Sequence, residues 1–352
     1  MNTAYNFLIL FDHFISEGKS GKRLKKDGSN LRSSTLGRYV TTRNLLLRFS
    51  AMENFELRIK NFIPADIQLI KEEKAYWKGF YNSFSNYLYA QGCFDNYVGA
   101  QFKIIRTFFN YLKSEKGILT ADIHKIFYIR TENIPIIVLS PDQLQFLIND
   151  KDFEKSLPVY LQNTKDIFVF GCTVGLRFSD LMKLNKKNLE PIDNSLHLRV
   201  RSIKTSTDTN IKLPDYAITI IKKYKKLRYL LPKLSNNRLN LNLKELCQKA
   251  GWTKEIGKMR ERRGIFKSIN IGGKIVRFCD LISSHTMRRT AITIMLSLGM
   301  PEIMVRKISG HTAFSKDFYR YVNYAQQFID RETDKVFDHL KLPPQSEKNP
   351  GN

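Results

Sequence analysis

The sequence predicts a mainly α-helical protein with a small antiparallel β component, divided into two domains. The chain has 352 residues, which exceeds one typical domain and allows each half to bury its own core. Apolar residues recur at helical spacing through most of the chain. Strict alternation is confined to short stretches within residues 195–214 and 269–278. A helical first domain and a mixed second domain are therefore predicted.

The boundaries follow from changes in these patterns. Residues 1–117 predict a small helical domain, with helices over 4–15, 33–49, 75–90 and 97–113 whose aromatic residues fall at core spacing. Residues 118–139 are β-branched and extended, which is typical of a linker with an edge segment. The capping sequence Ser140-Pro141-Asp142-Gln143 starts a second domain over 140–341. Residues 342–352 form a polar tail, predicted to be flexible.

Composition restricts the possible partners. Lysine and arginine number 58 against 33 acidic residues, a net charge of +25, which favours nucleic acid first and an anionic membrane surface second. No apolar run reaches the roughly 18 residues of a membrane span, and the apolar start lacks the basic leader of a secretory signal. Four widely spaced cysteines indicate reduced thiols rather than disulfides or a metal site. A cytoplasmic protein that binds nucleic acid and no membrane is expected.

A candidate phosphate site lies at a predicted helix start. Ser283 and Ser284 precede an apolar run, which is typical of a helix N-terminus. His285 and Arg288 are three residues apart, so both project from one face of the first turn, where unpaired N–H groups favour an anion. Alone, this pair is more often a solvated helix edge. The residues that accompany this pair elsewhere in the chain are a stronger indication of a phosphate site.

Three further positions accompany this pair. Gly175 allows a turn that swings Arg177 out of the preceding helix, and a guanidinium can bind two phosphate oxygens at once. The alternative for Arg177 is a surface ion pair with Asp180. Lys204 lies at the tip of the hairpin predicted within residues 195–214, where lysines often serve solubility alone. His311 follows a short helix that begins at Pro301.

Together these residues resemble the signature of the tyrosine recombinase (phage integrase) family. The resemblance covers roughly the last two thirds of the chain. It implies an α+β catalytic domain preceded by a helical core-binding domain, the two forming a C-shaped clamp on double-stranded DNA. The residues that it assigns to catalysis are Arg177, Lys204, His285, Arg288, His311 and a tyrosine, with Asp180 in support. Among these, His311 would donate to a nonbridging phosphate oxygen and Lys204 would protonate the leaving 5′ oxygen.

The tyrosine nucleophile departs from the usual spacing. Family members commonly place it nine residues after the histidine, where this chain has Arg320. Tyr319 and Tyr321 flank that position and point about 200° apart on a helix, so only one can face the phosphate. Tyr321 is the preferred nucleophile because Tyr321-Val322 resembles the family's segment, in which a β-branched residue follows. Tyr319 is the rival nucleophile, and Tyr324 is a more distant one.

The resemblance also implies the reaction and the assembly. DNA strands would be exchanged through a 3′-phosphotyrosyl intermediate and a Holliday junction, without ATP, metal or other cofactor. A chain that is monomeric when free would form a homo-tetramer on synapsed sites through an exchange helix over 325–341, with accessory DNA-bending factors as further partners. A type IB topoisomerase-like enzyme and a non-catalytic basic DNA-binding protein are the alternatives. Candidate DNA contacts are Lys22, Arg23, Lys25, Lys26, Arg38, Arg43, Lys103 and Arg289.

Overall fold

The computed structural model divides the chain into two compact units. It describes residues 4–61, 67–120, 122–201, 208–312, 315, 318–322, 325, 330, 333–334 and 337–338. The first unit consists of Met1–Ile134 and Met259–Ile269, and the second of Pro135–Lys258 and Asn270–Asn352. The first unit thus extends past residue 117, and the segment predicted as a linker is shared between the two units.

The first unit is built from helices, with one two-stranded sheet. Residues 4–6 form a strand rather than the start of a helix, because Tyr5 pairs antiparallel with Ile59 and the Asn6 side chain caps the helix that follows, accepting from Ile9 N at 3.1 Å. Residues 128–134 carry no helix or strand. The elements before residue 134 are β1 (Ala4–Asn6), α1 (Phe7–Lys19), α2 (Ser33–Met52), β2 (Arg58–Lys60), α3 (Ile67–Ala90), α4 (Asp95–Lys116) and a 3₁₀ turn (Ile123–Ile126).

Aromatic side chains form the core of the first unit, as their spacing predicts. Trp77 is 1 % exposed, and its ring packs edge-on against Phe80 and Phe109 at centroid distances of 5.1 and 5.0 Å. Such pairs add to the free energy gained by burying the rings. The aromatic residues of α3 and α4 therefore hold the helices of the first unit together.

The second unit alternates helices with a small antiparallel sheet. The helix start predicted at Ser140 is confirmed: Ser140 N donates to Gln143 Oε1 at 2.9 Å and Gln143 N to Ser140 Oγ at 3.2 Å, a closed capping box. The elements after residue 134 are α5 (Pro141–Asn149), α6 (Lys151–Ser156), α7 (Val159–Val174), α8 (Phe178–Leu181), a 3₁₀ turn (Lys186–Asn188), β3 (Leu189–Ile192), β4 (Ser195–Arg201), β5 (Asp208–Lys212), α9 (Asp215–Lys223), α10 (Asn236–Lys249), β6 (Lys258–Arg262), β7 (Ile265–Ile271), β8 (Lys274–Ile275), α11 (Phe278–Leu281), α12 (Ser284–Ser297) and α13 (Glu302–Ser309).

The hairpin predicted within residues 195–214 and the alternating stretch within 269–278 both contain antiparallel strand pairs. Strands β3, β4 and β5 form one antiparallel sheet in sequence order, with Leu198 opposite Ile211. Lys204 lies outside the described residues. Strands β7 and β8 turn at Gly272 and Gly273, both in the left-handed region that favours glycine.

Helices long and apolar enough to cross a membrane do not occur in the part of the chain that the structure describes.

The segment Met259–Ile269 belongs to the first unit through buried carboxylates. Glu132 accepts from Arg260 Nε and Nη2 at 2.8 and 2.6 Å and from Glu261 N at 2.9 Å. Asp95 accepts from the main-chain nitrogens of Arg263 and Gly264, each at 2.8 Å. No local pattern in the sequence indicates this docking, because its partners lie more than a hundred residues apart along the chain.

Close packing of α7 on α12 fixes the frame of the second unit. A Cβ added at Gly171 on α7 would lie 2.4 Å from Met287 Sδ and 3.1 Å from Met287 Cβ on α12. Such distances require the Met287 side chain or one of the two helices to shift. Glycine is therefore needed here for the close approach of two helices, rather than for a turn.

We expect Gly171→Ala to lower the free energy of unfolding by about 1–3 kcal/mol through overpacking against Met287. The matched control is Gly79→Ala in the middle of α3, where an added Cβ has no neighbour within 4 Å. That change should stabilise the protein by about 0.5–1 kcal/mol, the helix propensity gained. Urea unfolding of both variants tests the contrast, and equal effects of the two changes would contradict it.

Candidate active site

The turn after α7 presents Arg177. The helix ends at Gly175, whose φ of 64° is left-handed and whose N–H donates to Gly171 O at 3.0 Å. Arg177 then adopts an extended conformation, φ −67° and ψ 145°, directly before the short helix α8. As predicted, glycine ends the helix and redirects the chain. The half-buried Arg177 lines a cavity of the second unit.

Helix α12 contributes the predicted His285 and Arg288. Its start is held by Ser283 N, which donates to Thr286 Oγ1 at 3.1 Å, and by Ser284 Oγ, 2.6 Å from Asn236 Oδ1 on α10. His285 is exposed at the cavity, whereas Arg288 is only 3 % exposed. The two side chains project from one face of α12, but Arg288 is buried and His285 is exposed.

The guanidinium of Arg288 contacts the turn after α7 and the end of α13. Its Nη1 donates to Gly175 O at 3.0 Å and to Ser309 O at 2.5 Å, and its Nη2 lies 3.1 Å from both ring nitrogens of His311. Burial and the neighbouring positive charge of Arg177 lower the pKa of Arg288 to about 10. Arg288 therefore stays charged at neutral pH.

His311 is held at the end of α13. Gly310 ends that helix with a left-handed φ of 62°, and His311 N donates to Arg306 O at 3.0 Å. Burial, followed by the positive charges of Arg288 and Arg177, lowers the pKa of the His311 imidazole to about 3. The ring is neutral at physiological pH.

Of the two candidate tyrosines, Tyr321 lines the cavity and Tyr319 does not. Residues 318–322 are helical, and Tyr321 is 6 % exposed with its ring centroid 6.0 Å from that of His311. Tyr319 is 52 % exposed, and its ring faces the guanidinium of Arg306 at 5.1 Å. The predicted divergence of the two side chains is confirmed. Tyr324 lies outside the described residues.

The cavity has a volume of about 360 Å³ and is lined by positive groups. No carboxylate is present among the described residues that line it. Such a lining suits an anion with several oxygens. The lining residues are Ile136, Arg177, His285, Arg288, Arg289, Gly310, His311, Thr312, Ser315, Arg320 and Tyr321.

Asp180 lies outside this lining, buried on α8. Its charge raises the pKa of Arg288 and so partly offsets the effects of burial and of Arg177. The observed effect of Asp180 is thus electrostatic and acts on Arg288. Groups of three or more potential metal ligands do not occur among the residues that the structure describes.

Three residues of the site were not predicted from the sequence. Arg306 donates to Thr312 O at 3.1 Å and lies 4.0 Å from the Phe318 ring, which fastens the segment after His311 to the helical turn that carries Tyr321. Ser309 contacts His311 Nδ1 at 2.8 Å, and Arg320 lines the cavity. The spacing of Arg306 and Glu302 indicates an ordinary helix-surface pair. Of these three residues, only Arg320 could have been suspected from the sequence, because it is adjacent to Tyr321.

The residues of the first unit that were predicted to contact DNA differ in whether their side chains bond within the protein or point to solvent. Arg23 packs its guanidinium 3.7 Å from the centre of the Phe14 ring and donates to Phe14 O, so its side chain is already engaged within the first unit and we leave it out of the proposed contacts. Arg43 forms a two-bond ion pair with Asp12, and Lys25 donates to Ser29 Oγ at 2.7 Å. The side chains that point to solvent are Lys22, Lys26, Arg38 and Lys103.

Comparison with known proteins identifies the family. The model of the phage integrase family matches residues 138–327, more than half of the chain. The chain belongs to the phage integrase family. These proteins are tyrosine-type site-specific recombinases, which break and rejoin DNA strands, so the predicted enzyme class is confirmed. No curated protein sequence matches the chain.

Solved structures of phage integrase relatives share the fold. A lambda integrase dimer bound to a COC′ core site matches with 13% identity and a TM-score of 0.57, covering 94% of this chain and 79% of that one. The Tn1549 transposon integrase with a circular intermediate DNA matches with 15% identity, TM-score 0.58, and 90% and 94% coverage. XerH bound to difH substrate matches with 14% identity, TM-score 0.54, and 90% and 92% coverage. The predicted fold class, mainly helical with small antiparallel sheets, is confirmed.

We expect Arg288→Met to lower the free energy of unfolding by about 2–3 kcal/mol. The change keeps an apolar stem but leaves the Gly175 and Ser309 carbonyls without their donor. The adjacent Arg289→Met, at a half-buried position, is the control and should change stability by no more than about 0.5 kcal/mol. Chemical denaturation measures both. Similar effects at the two positions would show that the buried bonds of Arg288 do not stabilise the fold.

The lowered pKa of His311 predicts acid sensitivity. Because the pKa is about 3 in the folded protein against 6.5 ordinarily, the unfolded chain binds the proton first, and stability is lost as pH falls from about 6.5 toward 3. The loss of stability between pH 7.5 and 4.5 should shrink by about 2 kcal/mol in His311→Gln. The exposed His13→Gln should leave that loss unchanged. An identical pH dependence in wild type and His311→Gln would refute the prediction.

Proposed function

We propose that this phage integrase relative is the integrase of a mobile element, which cleaves and rejoins double-stranded DNA in the bacterial cytoplasm. One observation carries the proposal: Tyr321 lines the same cavity as Arg177, Arg288, His285 and His311. These residues span about 145 positions of the chain, so their convergence is a property of the fold. A phenol beside several cationic groups is suited to attack on a phosphodiester.

The arginines of the cavity would bind the scissile phosphate. Arg177 and Arg288 carry fixed positive charge, and burial of Arg288 places that charge where water screens it least. His285, exposed at the rim of the cavity, can reach a phosphate oxygen from the first turn of α12. Removing one such preorganised group typically costs about 10²–10³ in rate. Arg289 and Arg320 extend the positive lining toward the neighbouring phosphates.

Tyr321 is the proposed nucleophile. Its Oη would give up its proton to water and form a bond to phosphorus as the bond from phosphorus to O5′ breaks, leaving the DNA joined to the protein through a 3′-phosphotyrosyl ester. Lys204, by family resemblance, would give its proton to the departing O5′. Since one phosphodiester replaces another, the bond energy is conserved, and attack by the 5′ hydroxyl of another strand restores continuous DNA through a Holliday junction.

Contacts with the DNA backbone would supply most of the affinity. The exposed Lys22, Lys26, Arg38 and Lys103 lie on the first unit, and Arg289 lies beside the proposed scissile phosphate. Lys25 and Arg43 are secondary candidates because each already has a partner. With a net charge of +25, binding should weaken steeply as salt rises.

The proposed assembly is a tetramer on two synapsed DNA sites, formed from monomers. A lambda integrase tetramer is known on a Holliday junction, which supports the same assembly here. The helix over 325–341 would be exchanged between neighbouring protomers, although most of this stretch lies outside the described residues. Accessory DNA-bending factors would complete the complex.

The proposal is tested with nicked duplexes taken from the DNA that flanks the gene. A nick just 3′ of the cleavage site lets a short fragment escape and traps the covalent adduct, which survives denaturing electrophoresis. Wild type and Tyr319→Phe should accumulate the adduct equally, and Tyr321→Phe should reduce it to background. These two substitutions each remove one hydroxyl from the same short helical segment and so control for each other.

Other outcomes of this experiment would indicate a different nucleophile or a different function. If Tyr319→Phe alone abolishes the adduct, the nucleophile is Tyr319. Adduct without joining of two labelled duplexes, together with relaxation of supercoiled plasmid, would indicate a topoisomerase-like enzyme. Salt-sensitive DNA binding with no adduct on any flanking sequence would indicate a non-catalytic DNA-binding protein.

A further inference from the structure

Arg306 is a buried cation that binds both its own helix and the chain that follows. It lies on α13 and is 8 % exposed. Its Nε donates to Glu302 Oε1 at 2.7 Å, one helical turn earlier, and its Nη1 donates to Thr312 O at 3.1 Å. The guanidinium carbon lies 4.0 Å from the centre of the Phe318 ring and 5.1 Å from that of Tyr319. An arginine can do both, because its planar group donates hydrogen bonds from its edges while its faces pack on aromatic rings.

The chain after α13 is held by this cation at two points, Thr312 and Phe318. Thr312 O accepts from Arg306 Nη1 and also from Ser315 N at 3.1 Å. Ser315 O accepts in turn from Phe318 N at 3.0 Å, and the Phe318 ring lies against the guanidinium. One side chain of α13 therefore fixes both the main chain soon after the helix and the first ring of the next helical turn.

The Phe318 ring connects Arg306 to two residues of the cavity. Phe318 is fully buried, and its ring lies edge-on to that of His311 at a centroid distance of 5.2 Å and to that of Tyr321 at 6.1 Å. Tyr321 follows Phe318 by three residues, so the two side chains are neighbours on one side of the helical turn. The position of Phe318 therefore influences where Tyr321 points.

Contact with two successive rings restricts rotation of the helical turn 318–322. Phe318 and Tyr319 differ by about 100° in direction on a helix, and both rings lie near the guanidinium of Arg306. A rotation that carried Tyr321 away from the cavity would separate at least one of these rings from the cation. Apolar packing of Phe318 alone gives no such restriction, because hydrophobic contacts are non-directional.

We propose that Arg306 is a positioning residue, which holds the helical turn 318–322 in the orientation that directs Tyr321 into the cavity and leaves Tyr319 at the surface. The inference rests on the proposed function, which makes Tyr321 the nucleophile. Arg306 does not belong to the described lining of the cavity. It therefore acts through Phe318 rather than on the DNA phosphate.

The orientation of the two tyrosines can be measured without DNA. Tetranitromethane nitrates exposed tyrosines, and trypsin cleavage after Arg320 places Tyr319 and Tyr321 on different peptides for mass spectrometry. In wild type Tyr319 should react and Tyr321 should be protected, since they are 52 % and 6 % exposed. Arg306→Met should raise the nitration of Tyr321 severalfold. The matched control is Lys307→Met, which removes an exposed charge from the same helix and should leave the pattern unchanged.

The rate of cleavage supplies the second measurement. With protein in excess over the nicked duplex, a variant that merely folds poorly needs more protein to saturate the DNA, whereas a displaced nucleophile lowers the rate at saturation. Arg306→Met should form the adduct about 100-fold more slowly at saturation, the loss expected for a displacement of about 1 Å. Its half-saturating concentration should stay that of wild type. Lys307→Met should match wild type in its rate at saturation.

Two further variants test how Arg306 acts. Arg306→Lys keeps the positive charge but lacks the planar group, so it should not restore the rate. Phe318→Leu combined with Arg306→Met should be no slower than the slower of the two single variants, because both changes remove one contact.

A wild-type rate at saturation in Arg306→Met would overturn the proposal. Rate losses that multiply in the double variant with Phe318→Leu would do the same, as would protection of Tyr321 from nitration in both Arg306→Met and Arg306→Lys. If Arg306→Met does not fold, Arg306→Lys decides by the same measurements. Absence of any adduct in wild type would count against the proposed function, and the nitration pattern would still test the orientation of the two tyrosines.

Discussion

The arrangement of the second unit depends on one buried cation, the guanidinium of Arg288. It reaches the carbonyl of Gly175 after α7, which is 113 residues away along the chain, and the Ser309 carbonyl and His311 imidazole at the end of α13. Burying a charge is costly unless its hydrogens find acceptors. Main-chain carbonyls and a neutral ring provide them here without cancelling the charge. The cavity therefore keeps a full positive charge in surroundings where water screens it poorly, which is the condition that an anion site requires.

Two helix contacts hold this cation in place. The close approach of α7 and α12 at Gly171 sets the distance between the turn that presents Arg177 and the helix that presents Arg288. Arg306 acts at the other side, where it bonds the carbonyl of Thr312 and packs on the Phe318 ring, one turn before Tyr321. The positive groups and the proposed nucleophile are thus carried by different elements. Their alignment depends on packing as much as on the residues that line the cavity.

Features set by local geometry could be predicted from the sequence, and those set by distant partners could not. The capping box at Ser140, the β4–β5 hairpin and the glycine turn before Arg177 each depend on a few neighbouring residues. The strand at residues 4–6, the docking of Met259–Ile269 and the packing of Arg23 against aromatic rings depend on contacts across the chain. Arg306 and Ser309 carried no signal, because a basic residue and a serine near a helix end have many ordinary roles. The site was predictable only as an ordered series that resembles a family.

The choice between the two tyrosines shows how structure adds an independent argument. Spacing from the histidine favours neither, since the usual position is occupied by Arg320. In the structure the rings separate by environment: Tyr319 stays at the surface over Arg306, while Tyr321 packs beside His311 at the cavity. A nucleophile must lie within reach of the groups that bind its target. By the same argument, the proposed nucleophile can follow His311 by one additional residue, because the face of the helical turn decides which tyrosine reaches the cavity, rather than the count along the chain.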